Sequence, residues 1–181
     1  MLNKEDLNQI LDRNVAWIEN CDSKASIMLG MLGVTISIVF AFDYAKVIIS
    51  TIKEKCLNTS FWNIVFLILL LLTVCSILYG GYKLIKSLVP QIDMKKLGND
   101  EMLGNNSIIF FSSIATYNNY TKFLNSLKKT SDEDYLNDIS SQIFLCAKIC
   151  DLKFRNYKSG LYFSIGGLLG FAILMTLGYF A

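Results

Sequence analysis

Three uncharged apolar runs, Ala25 to Phe42, Phe61 to Tyr82 and Ser159 to Ala181, constrain this chain more than any other feature. They hold 18, 22 and 23 residues, against the roughly 20 apolar residues that carry a helix across a bilayer. An aqueous protein of 181 residues could not hide this much apolar helix from water. The expected fold is therefore an all-α membrane protein, with three transmembrane helices continuing into a small cytoplasmic helical bundle. Composition agrees, since 53% of residues are hydrophobic and only 18% charged, on the membrane side of ordinary globular usage.

Orientation follows from where lysine and arginine fall between the spans, because cytoplasmic segments carry the excess. Residues 1–24 hold three (Lys4, Arg13, Lys24), residues 43–60 hold three (Lys46, Lys53, Lys55), and residues 83–158 hold eleven. The expected order is then a cytoplasmic amphipathic helix at 1–24, a first span at 25–42, an external loop at 43–60 and a second span at 61–82. A cytoplasmic helical region at 83–158 and a third span at 159–181 follow. The first 24 residues are too long, too acidic and too amphipathic for a signal peptide, so the N-terminus is read as retained and cytoplasmic.

Chemistry-bearing residues are few. The chain has no histidine, which removes the commonest general base and the usual metal ligand together. Cys146 and Cys150 share a helical face but fall short of the four ligands of structural zinc. The glycines cluster in apolar runs and form no phosphate loop. No enzyme, metal or cofactor is expected. With 17 basic and 15 acidic residues, bulk charge does not point to nucleic acid.

Between the spans, apolar residues recur at helical rather than strand spacing. Leu11, Val15, Ile18, Asp22, Ser26, Gly30, Gly33 and Ser37 step by three or four, predicting one long helix that runs into the first span. The second span is expected to continue to Pro90, which stops it. Gly98 to Asn106 reads as a loop, Ser107 to Lys128 as a third cytoplasmic helix. Ser131 or Asp132 starts another, with Leu136, Ile139, Ile143, Cys146 and Cys150 on one face.

Two charges interrupt these stripes near the membrane: Asp22 on the first, Lys153 on the last. Antiparallel packing of the two helices would let Asp22 pair with Lys153 or Arg155. A structural ion pair accounts for them. So does a pocket in which Asn14, Trp17, Lys24, Lys153, Phe154 and Arg155 receive an anionic aromatic ligand, with cations for phosphate and an aromatic ring for stacking. In the membrane, Ser26, Gly30, Gly33 and Ser37 make a ribbon of small residues, and Gly166 with Gly170 makes a Gly-x-x-x-Gly pair. Both point to close helix packing; the first ribbon also suits the wall of an aqueous path in an oligomer. Three spans are too few to enclose a pore, so a pore needs several copies in a cyclic homo-oligomer. A tetramer is one such closed form.

The signature Trp17-x4-Asp22-x-Lys24-Ala25, leading into a small-residue span, resembles the membrane effectors of the Pycsar antiphage systems. Pro90, Phe110-Phe111, Ile114-Ala115, Ala147 and Lys153-Phe154 look similar in order, so the resemblance covers nearly the whole chain. Cys21, where alanine is common, and Phe154, where tyrosine is common, depart from the pattern. The resemblance implies an inner-membrane effector that depolarises or permeabilises the membrane to halt infection. Its partners would be membrane lipids, further copies of itself and a nucleotide second messenger. In Pycsar that messenger is a cyclic pyrimidine mononucleotide from a partner cyclase. The similar Hailong effector answers to an oligodeoxyadenylate from a nucleotidyltransferase and is held closed by it. Trp17, Asp22, Lys24 and Lys153 are the positions the resemblance marks for gating or ligand sensing. The competing reading is a non-conducting membrane adaptor that anchors a cytoplasmic partner.

Overall fold

A computed structural model describes residues 3–41, 43–58, 60–90 and 107–180. The helices are α1 (Lys4–Phe40), α2 (Asp43–Leu57), α3 (Phe61–Leu88), α4 (Phe111–Ile114), α5 (Tyr120–Lys129) and α6 (Asp132–Phe180); no strand occurs among the described residues. Three of them, α1, α3 and α6, are long and apolar enough to cross a membrane. Hydrocarbon offers no water to an open peptide group, so helical bonding is the form such a segment can take. The expected loop at 98–106 lies outside the described residues.

The two longest helices begin with the same device. Asn3 accepts a bond from the Asp6 amide at 2.8 Å while its own amide donates to the Asp6 carboxylate at 2.9 Å. At α6, Ser131 Oγ accepts from the Asp134 amide and the Ser131 amide donates back to the Asp134 carboxylate, both at 3.1 Å. These reciprocal bonds satisfy amides that a helix start leaves open. The bonds from Ser131 hold the Asp134 carboxyl below its ordinary range. α3 stops at Leu88, before Pro90, as expected.

The helix boundaries differ from expectation in two places. The 43–60 connection is mostly helix α2, in which Val47, Ile48 and Thr51 fall on one face and Thr51 is buried. The helix expected over 107–128 is broken into α4 and α5. Ser107 Oγ accepts from the amides of Ile109 and Phe110 at its start. Farther on, Asn119, in extended conformation, caps a new helix by accepting from the Lys122 amide at 2.9 Å. Asparagine favours such a cap over a helix interior.

The chain divides into two compact units, Met1–Asp22 with Val89–Lys153, and Ser23–Leu88 with Phe154–Ala181. In the first, α1 and α6 pair side by side. Lys4 Nζ stands 4.1 Å over the Tyr135 ring, Asn14 Nδ2 donates to the Ile143 carbonyl at 3.2 Å, and Lys153 meets Asp22. Residue numbers rise together on both helices, so they run parallel, which corrects the antiparallel expectation. First and third spans of a three-span chain cross in the same direction, and the helices leading into them must also do so. Ile108 is tied to α6 through its amide, which donates to Asp138 at 2.9 Å.

The second unit is built on an antiparallel contact between α3 and α6. A Cβ added at Gly160 would lie 2.9 Å from the Leu84 amide nitrogen and 3.0 Å from the Gly80 carbonyl. One added at Gly167 would lie 2.9 Å from the Ile77 nitrogen and 3.0 Å from the Thr73 carbonyl. Backbones this close admit no side chain, the usual basis of helix association where lipid removes the hydrophobic drive. Ser164 is fully buried against Gly80 in the same seam. Of the expected Gly166 and Gly170 pair, Gly170 meets Thr73 but Gly166 faces open space. The Ser26, Gly30, Gly33 and Ser37 ribbon is exposed, with nothing within 4 Å of a Cβ built at either glycine. Its expected close packing is therefore not made within the described residues of this chain.

Gly160→Ala should lower stability by about 1–3 kcal/mol, the range for overfilling a packed contact, whereas Gly81→Ala, built into open space, should not destabilise. Thermal unfolding in detergent checks this; equal effects at the two positions would contradict the seam.

Candidate gating site at the Asp22 and Lys153 pair

Lys153 is 4% exposed, the one buried charge among the described residues. Its ammonium donates to Asp22 Oδ1 at 2.5 Å, and the Asp22 side chain is 37% exposed. Cys21 and Ile139 are fully buried in the same unit, and Leu145 nearly so. A buried ammonium is costly unless paired, so the carboxylate is what permits Lys153 to lie there. The burden is uneven: Asp22 keeps access to water when the pair is broken, and Lys153 does not.

Of the seven residues expected at a ligand or gating site, Asp22 and Lys153 are brought into direct contact. Asn14 lies about two turns earlier on α1 and bonds the α6 backbone. Trp17, also in the first unit, is 55% exposed. Lys24, Phe154 and Arg155 belong to the second unit. Lys24 and Arg155 are exposed, and Phe154 and Arg155 line a shallow groove with Tyr157, Lys158, Leu161 and Tyr162.

Sequence reasoning overlooked Lys4 on Tyr135 and the Asp138 tie to Ile108. The Asn3-x-x-Asp6 spacing was the available signal for a capped helix start beside Lys4; nothing in spacing reveals Asp138. Cys146 and Cys150 stand a turn apart on α6. Burial raises both thiol pKa values, with Cys150 adding to the shift at Cys146, and Cys21 and Asp151 adding to that at Cys150. No group of metal-ligating side chains converges among the described residues.

An all-α chain with three apolar helices of spanning length, joined by polar helical segments, is a multi-span membrane protein. The chain belongs to the PycTM family, the Pycsar effector protein domain, whose family model matches residues 6–180. It is 29% identical over 185 residues to the Pycsar effector protein GmPycTM of Gulbenkiania mobilis, an alignment covering 94% of this chain and 90% of that one. No solved structure matches it significantly. Membership makes it a transmembrane effector of antiphage defence.

Asp22→Ala should cost about 3 kcal/mol by leaving Lys153 buried without its carboxylate, and Lys153→Met about 1 kcal/mol or less, since Asp22 can hydrate. Denaturation of the purified variants measures both, and the opposite order would contradict this account of the pair. Alkylation at pH 7.5 should be slower at Cys146 and Cys150 than at exposed Cys56 and should accelerate as pH rises, because only the thiolate reacts. Mass spectrometry of labelled peptides reads the rates; equal rates would contradict the raised pKa values.

Proposed function

We propose that this effector is a homo-oligomeric, nucleotide-controlled pore of the bacterial inner membrane, with its N-terminus in the cytoplasm, and that it halts infection by depolarising or permeabilising that membrane. The observation that carries the reading is the Asp22 and Lys153 pair. It fastens α1 to α6 directly before the apolar stretch of α1 and about two turns before that of α6. Both helices continue through the pair without a break, so a change there is carried along the same helices into the spans.

The signal is a cyclic pyrimidine mononucleotide from a partner cyclase, the messenger that membership of a Pycsar family implies. Asn14, Trp17, Asp22, Lys24 and Lys153 sense it or transmit it. A ligand shifts such an equilibrium only by binding closed and open forms unequally, so loosening or tightening of the ion pair must accompany binding. The exposed ribbon of Ser26, Gly30, Gly33 and Ser37 borders the path formed between copies. Thr35 and Ser37 hydroxyls donate to carbonyls of their own helix at 2.8 Å, leaving oxygen lone pairs for water. The uncharged spans and the missing histidine favour passive flux over pumping or catalysis.

Ion flux through liposomes holding the purified chain tests this, first without ligand and then with a panel of cyclic mononucleotides. One cyclic pyrimidine nucleotide should switch flux by tenfold or more, on the order expected for a typical coupling of 1–3 kcal/mol, and Asp22→Asn should blunt the response. Silence in every ligand state, with insertion verified, would support the adaptor reading instead.

A further inference from the structure

Two thiols stand where α1 and α6 face each other in the first unit. Asn14 on α1 donates to the Ile143 carbonyl of α6 at 3.2 Å. Cys21 follows Asn14 by seven residues, and Cys150 follows Ile143 by seven. Seven residues are close to two helical turns, which return a side chain to the same face about 10 Å farther along. Both helices are unbroken over this stretch and run parallel, so the meeting of Asn14 with Ile143 recurs at Cys21 and Cys150. The Asp22 and Lys153 pair lies directly beyond.

The surroundings of the two thiols agree with that register. Cys21 is fully buried, as a residue between two helices must be, and Cys150 is partly exposed. Burial raises the Cys150 thiol and Cys21 adds to the shift, which puts the two within electrostatic reach. Helix axes packed about 8–10 Å apart, with Cα atoms about 2.3 Å off axis, bring facing Cα atoms to roughly 4–6 Å, a separation that a disulfide bridges. Cys146 lies about 6 Å nearer the start of α6, so Cys150 is the thiol level with Cys21.

We propose that Cys21 and Cys150 form a redox modification site, joined by peroxide into a disulfide that fastens α1 to α6 beside the Asp22 and Lys153 pair. The Cys150 thiolate attacks hydrogen peroxide: an S–O bond forms, the O–O bond breaks, and the departing hydroxide takes up the thiol proton as water. Cys21 then attacks the sulfenic sulfur, the S–S bond forms, the S–O bond breaks, and a second water leaves with the Cys21 proton. Two thiols are oxidised and one peroxide is reduced to two waters. Exposure makes Cys150 the sulfur that the oxidant meets, and burial beside it makes Cys21 the resolving thiol. Held on facing helices, the second step is intramolecular and outruns attack by a thiol from solution. Because the Cys150 thiol is raised, the first step is slow at neutral pH and quickens as pH rises. The site goes beyond the signal-controlled pore and does not depend on it.

Peptide mapping of the full chain in detergent, treated with hydrogen peroxide and then blocked with iodoacetamide, tests the site. Trypsin separates the three thiols of this unit: residues 14–24 carry Cys21, residues 130–148 carry Cys146 and residues 149–153 carry Cys150. Peroxide should link 14–24 to 149–153 in protein that stays monomeric on a gel without reductant. Dithiothreitol should release the two peptides, and their linked yield should rise with pH. Oxidation should also raise the thermal midpoint of the wild type and of Asp22→Ala alike, because the link fastens the helices without the ion pair, and leave that of Cys21→Ala unmoved. The wild type alone decides the matter should Asp22→Ala not fold. The proposal is overturned if no linked pair forms, if Cys146 takes the place of Cys150, if the link joins two chains, or if the midpoint stays fixed on linking.

Discussion

Inside hydrocarbon a peptide group has no water to bond, and helices have no hydrophobic drive to leave lipid for one another. The first condition makes helices of the three apolar runs; the second leaves close backbone approach as the means of joining them. Gly80, Gly160 and Gly167 supply that approach, with Ser164 filling the seam between two of them. α6 is thus fixed to α3 along its span, and in the other unit it is fixed to α1 through Lys4, Asn14 and the Asp22 and Lys153 pair. This one 49-residue helix is the element against which both partners are held.

Two kinds of contact consequently serve different ends. The glycine seam is apolar, close and indifferent to ligand charge. The ion pair is charged, partly open to water on the Asp22 side, and set in a unit where a hydrogen bond from Asn14 and the stacking of Lys4 on Tyr135 also join the two helices. In the proposed mechanism a nucleotide phosphate, which competes for an ammonium and repels a carboxylate, acts on the second kind and leaves the first alone. That asymmetry is what an effector needs if a soluble signal is to alter helices that stay in the membrane.

Much of this was legible in the chain. Run lengths picked out the three helices long and apolar enough to span, Pro90 marked the end of α3, Ser131 began α6, and the lone charges Asp22 and Lys153 on apolar stripes proved to be partners. What escaped depended on neighbours rather than spacing. Gly166 and Gly170 had the familiar interval, yet the seam runs through Gly160, Ser164 and Gly167 because that face meets Gly80 and Ile77. Helix α2 was readable from Val47, Ile48 and Thr51 but was masked by its three lysines, and Asn119 was a cap hidden in an aromatic stripe. The parallel course of α1 and α6 followed from the span count alone and was missed by reasoning from the charges.

The central claim is that the exposed α1 ribbon borders a path that the nucleotide controls. The direct measurement is the reactivity of a charged, membrane-impermeant thiol reagent toward Gly33→Cys and Ser37→Cys, in liposomes, with the five native cysteines replaced by alanine. A cyclic pyrimidine nucleotide should change labelling at both positions in step with flux, and labelling should block the flux, while Leu169→Cys on α6 stays unlabelled. Flux that responds to nucleotide while both ribbon cysteines remain unreactive would place the path elsewhere and contradict the account.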